Sequence, residues 1–348
     1  MSFDAAALAP WQQRMHDHAA AALDAGRMGH ALLFCGPAML GKRLVAERLA
    51  QRVLCQAADA ATRPCGQCRP CALYRSRSQK DPLEQRPDGS PAHPWGHPGH
   101  PDAIFVGHAW RHSPSPARQM TVIPVDQVRE LSVRLSTTPQ YGSAKVAIID
   151  PADDMNDNAA NALLKTLEEP VPGRYLWLLC ANPARLPATI RSRCQRLEFR
   201  LPPADEAIAW LAARGHPAAA SAEALAAARG HPGLADAWLR DGGMALRRDV
   251  AADLAGVASD SASAIEIAKA WTADDLAMQR LLHAADLSRD RAVGLTDPVR
   301  IRKLAAWFDA ANRTRELLRS TIRADLAVVD LLLAWRDAAG DKARGVMR

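Results

Sequence analysis

A short apolar run, Ala31–Cys35, ends in Gly36-Pro37-Ala38-Met39-Leu40-Gly41-Lys42, and a stretch with apolar residues at helical spacing, Arg43–Leu54, follows at once. Glycine, four residues, then Gly-Lys between a strand and a helix is a phosphate loop in the context that motif requires. The glycines let backbone N–H groups turn towards an anion, and the helix N-terminus adds partial positive charge. No other feature restricts the fold as much, because such a loop needs a parallel strand to end on and a helix to open. The rest of the first half agrees. Ala103–Val106, Lys145–Asp150, Tyr175–Ala181 and Arg196–Phe199 are further short apolar runs, with helical stretches at Val125–Leu135 and Asn158–Leu167. Strands alternating with helices predict a parallel sheet flanked by helices.

Two positions depart from a hydrolysing site. The residue after Lys42 should be Ser or Thr, whose hydroxyl holds magnesium. Here it is Arg43, which has no acceptor lone pair and repels a cation. Val146–Asp150 supplies the apolar strand and terminal Asp of the second metal element, but Pro151 stands where a carboxylate should orient the attacking water. Asp153 and Asp154 lie beyond the turn and are poor replacements. What remains is a degenerate nucleotide site of Gly36, Gly41, Lys42 and Asp150, with ATP or ADP binding left open and hydrolysis expected to be lost.

Cys55, Cys65, Cys68 and Cys71 place four thiols within 17 residues. Tetrahedral zinc accepts four thiolates, and Cys-x2-Cys turns present two sulfurs from one tight loop. The spacing predicts a closed, structural zinc site clipped to the end of the phosphate-loop helix. Cys35, Cys180 and Cys194 fall in or beside predicted strands and are read as small buried residues. Arg75–Gln119 holds eight of the 24 prolines and five of the 11 histidines. Apart from Ala103–Val106 it is expected to form mobile loops, at 77–99 and 107–118. A metal site on His93, His97, His100, His108 and His112 is the sharper reading and the less favoured one.

Strand signals stop after Leu201-Pro202-Pro203. The expected organisation is residues 1–201 as the α/β domain, with a cysteine module at 55–71 and an insert at 75–119, then a small helical lid at 202–243 and a helical collar at 244–348. No run of 18 apolar residues suits a membrane span. The N-terminus has no signal-peptide pattern, so a cytoplasmic place is expected. Lys+Arg exceeds Asp+Glu by 44 − 38 = 6, which permits nucleic-acid contact without demanding it. Leu287–Arg323 carries nine basic and four acidic residues and is read as a solvated collar surface in preference to a DNA-facing stripe.

Asp157–Pro170 (DNAANALLKTLEEP) and Thr189–Cys194 (TIRSRC), with the four-cysteine insertion after the phosphate-loop helix, resemble the AAA+ clamp-loader subunits of bacterial DNA polymerase III. Order and spacing agree from about residue 10 to 201. The resemblance implies an AAA+ domain followed by lid and collar. It implies a hetero-oligomeric ring with gamma/tau and delta subunits, and a sliding clamp and primer-template DNA as partners through that ring. It also implies that Arg193 acts in trans, as an arginine finger on ATP held by the neighbouring subunit. Motor members of the family carry the hydroxyl, the Asp-Glu pair and a sensing arginine after Gly-Ser. This chain has Arg43, Pro151 and Gly230-His231-Pro232-Gly233 there, so it is similar to a member that assists without hydrolysing. The rival readings are an ATP-hydrolysing motor subunit and a zinc-containing DNA-binding module.

Overall fold

The computed structural model describes residues 7–85, 91–111, 118–318 and 322–340. Backbone contacts divide the chain into two units, Met1–Trp210 with Gly230–Gly233, and Leu211–Arg229 with Leu234–Arg348.

The first unit is built on five parallel strands, β1 (Ala31–Cys35), β2 (Ala103–Val106), β3 (Lys145–Ile149), β4 (Arg174–Cys180) and β5 (Gln195–Glu198). Their spatial order is β2-β3-β4-β1-β5, with every neighbouring pair parallel. Successive side chains of a strand point to opposite faces. Both faces of β1 and β3 and of most of β4 are covered, so these strands are buried on both sides without alternation, whereas the edge strand β5 buries only Leu197. Leu32, Phe34, Val146, Ile148, Trp177 and Leu179 pack on one face against α2 (Lys42–Leu54) through Leu44, Val45 and Leu49. Leu33, Cys35, Ala147, Ile149, Leu176 and Leu178 pack on the other against α4 (Val125–Ser136) and α5 (Asp157–Glu168). α1 (Pro10–Asp24) precedes the sheet, and α3 (Arg69–Arg75) follows α2. This is the parallel sheet flanked by helices expected above. β1 lies between β4 and β5, so the loop after it opens where the strand order turns back, the usual ligand position of an open α/β sheet.

The described part of the 75–119 segment adds two short antiparallel pairs, Arg77–Ser78 with His97–Pro98 and Trp110–Arg111 with Arg118–Gln119. His93, His100, Asp102 and His108 within it are buried. Asp102 anchors the segment by accepting from the backbone N–H groups of Gln140 and Tyr141 at 2.8–3.0 Å. His112, part of the histidine reading, lies outside the described residues.

Every secondary-structure element of the second unit, among the described residues, is a helix. Its core sets Trp271, Trp307 and Trp335 among Leu254, Leu281, Leu304, Leu331 and Leu332. Each indole N–H has an acceptor, as burial of a tryptophan demands: Asp253, the Leu331 carbonyl and the Leu254 carbonyl, each at 2.8 Å.

Candidate functional site

The phosphate loop is held by close approaches that only glycine permits. Gly36 has φ 137° and Gly41 φ 82°. A Cβ on the first would meet the Phe199 carbonyl oxygen at 2.2 Å, and on the second the Gln12 amide at 2.1 Å. Gln12 and Trp11 of α1 both donate to the Leu40 carbonyl, at 3.1 and 3.2 Å, so α1 grips the loop from outside. Nothing in the spacing of residues 10–24 singled out Gln12 for that role. Lys42 turns back on the loop, its Nζ 2.7 Å from the carbonyls of Gly36 and Pro37. Gly233 closes over the same turn, where a Cβ would meet the Met39 carbonyl at 2.1 Å.

Arg43 is 7% exposed and its guanidinium is engaged on several sides. Nε donates to Glu47 at 2.8 Å, one turn along α2. Nη1 donates to the Ala92 carbonyl at 2.9 Å and to Asp150 at 3.1 Å. Nη2 meets Nδ1 of His93. Burial works against the charge, but the carboxylates of Glu47 and Asp150 outweigh it and hold Arg43 more firmly protonated than a free guanidinium. A positive group therefore sits beside Asp150, where a hydrolysing site would gather magnesium. Asp153 and Asp154 are committed elsewhere. Asp153 accepts from the Asn182 backbone at 2.9 Å, and Asp154 pairs with His108 at 3.0 Å and Arg185 at 2.9 Å.

Glu84, His93 and His97 converge in the insert, with both Nε2 atoms 3.0 Å from one Glu84 oxygen. Arginine can only donate, so His93 Nδ1 accepts from Arg43 and the ring proton lies on Nε2, facing Glu84. Burial pulls the His93 pKa down to about 3, which keeps the ring neutral. Glu84 is held well below the usual carboxylate range: burial opposes its charge, but the two imidazoles and Lys80 prevail. Hydrogen bonds thus fill this cluster, and the Nε2 lone pair that a metal at Glu84 would need is taken by a proton.

The four cysteines of the module do come together. Their sulfurs all lie within 4.8 Å of one another, with Cys55 3.6 Å from Cys65 and 3.9 Å from Cys68. The edge of a zinc–sulfur tetrahedron is about 3.8 Å for bonds of about 2.3 Å. Cys55 caps the C-terminus of α2, Gly66 turns the chain at φ 70°, and Cys71 lies in the first turn of α3. Backbone N–H groups of Cys68 and Gln67 lower the Cys65 pKa to about 6, while burial raises that of Cys71. The cluster fits a structural metal site. Cys35, Cys180 and Cys194 are buried outside this cluster, Cys35 and Cys180 opposite each other on β1 and β4, with burial pushing Cys180 up to about 12 and Cys194 up to about 11.

Arg193 follows the short helix α6 (Ala188–Arg191), beside buried Cys194. It is 37% exposed and rests on its own unit, with Nη2 2.6 Å from Glu168 and Nη1 donating to the Thr189 carbonyl at 2.9 Å.

Comparison with known proteins adds sequence likeness to this geometry. The family described as DNA polymerase III, delta subunit, matches residues 11–203, more than half of the chain. A delta' subunit of DNA polymerase III from Pseudomonas aeruginosa is 36% identical over 203 residues, 58% of this chain and 52% of the relative. The Escherichia coli K12 delta' subunit is 32% identical over 204 residues, again 58% and 52%. The chain thus spans about half the length of these curated relatives. A gamma subunit-related protein from Thermotoga maritima aligns with 94% of this chain and 99% of its own at 14% identity, with a TM-score of 0.45.

Proposed function

The chain belongs to the DNA polymerase III delta subunit family, with delta' proteins among its relatives, and on that premise we propose that it is a non-hydrolysing delta' (stator) subunit of a clamp loader. In that reading it joins gamma/tau and delta subunits in a cytoplasmic assembly that places a sliding clamp on primed DNA. It supplies Arg193 to the ATP site of the neighbouring motor subunit. The observation that carries the non-hydrolysing half is Arg43, buried between Glu47 and Asp150 at the position of the magnesium-holding hydroxyl. With a guanidinium there and Pro151 after the strand, this domain keeps the loop without the metal and without a group to activate water. In this reading Arg193 has a different task. It stands part-exposed on a turn, so its fixed cation can stabilise charge spreading over a γ-phosphate held by another chain.

Zinc is the proposed occupant of Cys55, Cys65, Cys68 and Cys71. It contributes folding energy at the junction of α2 and α3 and leaves no open position for catalysis. Among the described residues no helix is long and apolar enough to cross a membrane.

The test is co-purification of the chain with gamma/tau and delta subunits, followed by ATPase assay of the isolated chain and of the assembly. Stable incorporation is expected, with no turnover by the chain alone and clamp-stimulated turnover in the assembly. Multiple-turnover phosphate release by the isolated chain makes it a motor and overturns the proposal.

A further inference from the structure

We propose that Glu168 is a positioning residue for Arg193: it holds the guanidinium in the orientation in which that cation meets the phosphate of a neighbouring subunit. The role rests on the clamp-loader reading above, to which it adds a residue from a different element.

The backbone around Arg193 is fixed first. Ile190 and Cys194, on either side of it, are buried, and the Arg193 N–H donates to the Ile190 carbonyl at 3.1 Å. The side chain remains long and flexible, and that freedom has to be given up before its charge can act at one point. Two acceptors from two elements settle the head. The Glu168 carboxylate, on the last residue of α5, meets Nη2 at 2.6 Å, and the Thr189 carbonyl of α6 accepts from Nη1 at 2.9 Å. α5 is anchored under this contact by buried Leu163 and Leu167. A guanidinium held at both Nη atoms is fixed in its plane as well as its place. Each Nη gives one hydrogen to these contacts, so three of the five N–H groups are left for an anion outside.

Glu168 is also poorly placed for the helix that carries it. A helix C-terminus favours cations, yet α5 ends in Glu168 and is followed at its cap by Glu169. The pair with Arg193 gives Glu168 a use that the helix does not. Arg200 shows the ordinary alternative, a pair with Glu198 only two residues before it, 80% and 59% exposed.

The test is clamp-stimulated phosphate release by the reconstituted assembly, with the Arg193-dependent part taken as the difference between wild type and Arg193→Ala. Glu168→Ala is expected to cut that part about two- to fivefold, the rate equivalent of one exposed ion pair. The loss should fall on kcat and leave the KM for ATP unmoved, as for an interaction made in the transition state. Glu168→Gln keeps an acceptor oxygen and should recover part of it. Glu169→Ala removes the same charge one residue on and should change nothing. In the Arg193→Ala background Glu168→Ala should have no further effect, because the two side chains act as one unit. The urea midpoint of the isolated chain should hardly move. Turnover unchanged by Glu168→Ala overturns the proposal, and so does a rise, which would make the pair a restraint on Arg193. An equal loss from Glu169→Ala overturns it too, as does a further loss in the Arg193→Ala background or loss of fold or assembly by Glu168→Ala. All of these leave the role of Arg193 standing while Arg193→Ala still lowers turnover. An Arg193→Ala assembly as active as wild type overturns that role and the one proposed for Glu168 together.

Discussion

Replacing Arg193 by alanine separates two magnitudes that the structure sets far apart. Within its own unit the side chain makes one ion pair, to Glu168, with the partners 37% and 49% exposed, and one bond to the Thr189 carbonyl. An exposed pair of this kind contributes about 0–1 kcal/mol. Arg193→Ala should therefore shift the urea midpoint of the isolated chain hardly at all, and subunit assembly should persist. A finger in trans is worth about 10³–10⁵ in rate in other nucleotide hydrolases, which is about 4–7 kcal/mol of transition-state stabilisation. The assay is steady-state phosphate release by the reconstituted assembly with clamp and primed DNA. Turnover at the adjacent motor site should fall steeply while the chain's own stability does not. Arg193→Lys should also be impaired, because a flexible ammonium cannot reproduce a planar fork. Arg191→Ala is the control, with the same charge change two residues away. Equal losses from both alanine variants refute the reasoning and leave a general electrostatic surface. Loss of assembly with Arg193→Ala makes the residue an interface anchor instead.

Metal analysis of freshly purified, unchelated protein should find one zinc per chain. Cys68→Ser should lower that content and loosen the Cys55–Cys71 loop to protease while the sheet stays folded, and zinc-free wild type would contradict the site. Arg43→Thr should not create ATP turnover, since Pro151 still leaves water unactivated. It should lower stability by about 3 kcal/mol, the lower end for breaking a buried pair, because Arg77 keeps hold of Glu47; urea titration at constant zinc reads this, and an unchanged midpoint refutes it. His283 is fully buried beside Trp238, and burial pulls its pKa down to about 4. The unfolded chain binds that proton first, so stability is full above pH about 6.5 and is lost as pH falls towards 4. His283→Leu should flatten the fall between pH 7 and 5, and an unchanged slope removes the assignment.

Much of the scaffold was legible because its signals are local. The run Lys145–Asp150 anticipates β3, ending at Ile149 with Asp150 next, and Asn158–Leu167 differs by one residue at each end from α5. Both are short apolar segments with a period that neighbours do not change. The four cysteines were legible because their turns are local too. The partners of Arg43, apart from Glu47 one turn along α2, were not. Ala92, His93 and Asp150 meet it only through tertiary contacts, and the first offers a backbone carbonyl that no side-chain pattern can mark. The histidines of the insert drew attention as metal ligands, yet their proton positions follow from Arg43, which the sequence does not place beside them. Gln12 escaped notice for the same reason, since its partner is a carbonyl 28 residues away.

The buried pairing of Arg43 with Glu47 and Asp150 also bears on descent. A path from this chain to a hydrolysing site needs at least a hydroxyl at position 43 and a carboxylate at position 151. Taking the first step alone strands a buried carboxylate and spends about 3 kcal/mol of a stability that is about 5–15 kcal/mol in all. Taking the second alone gains nothing, because no metal can enter beside a guanidinium. Each intermediate is less stable or no more active than its parent, so no single substitution is expected to give this chain hydrolysis.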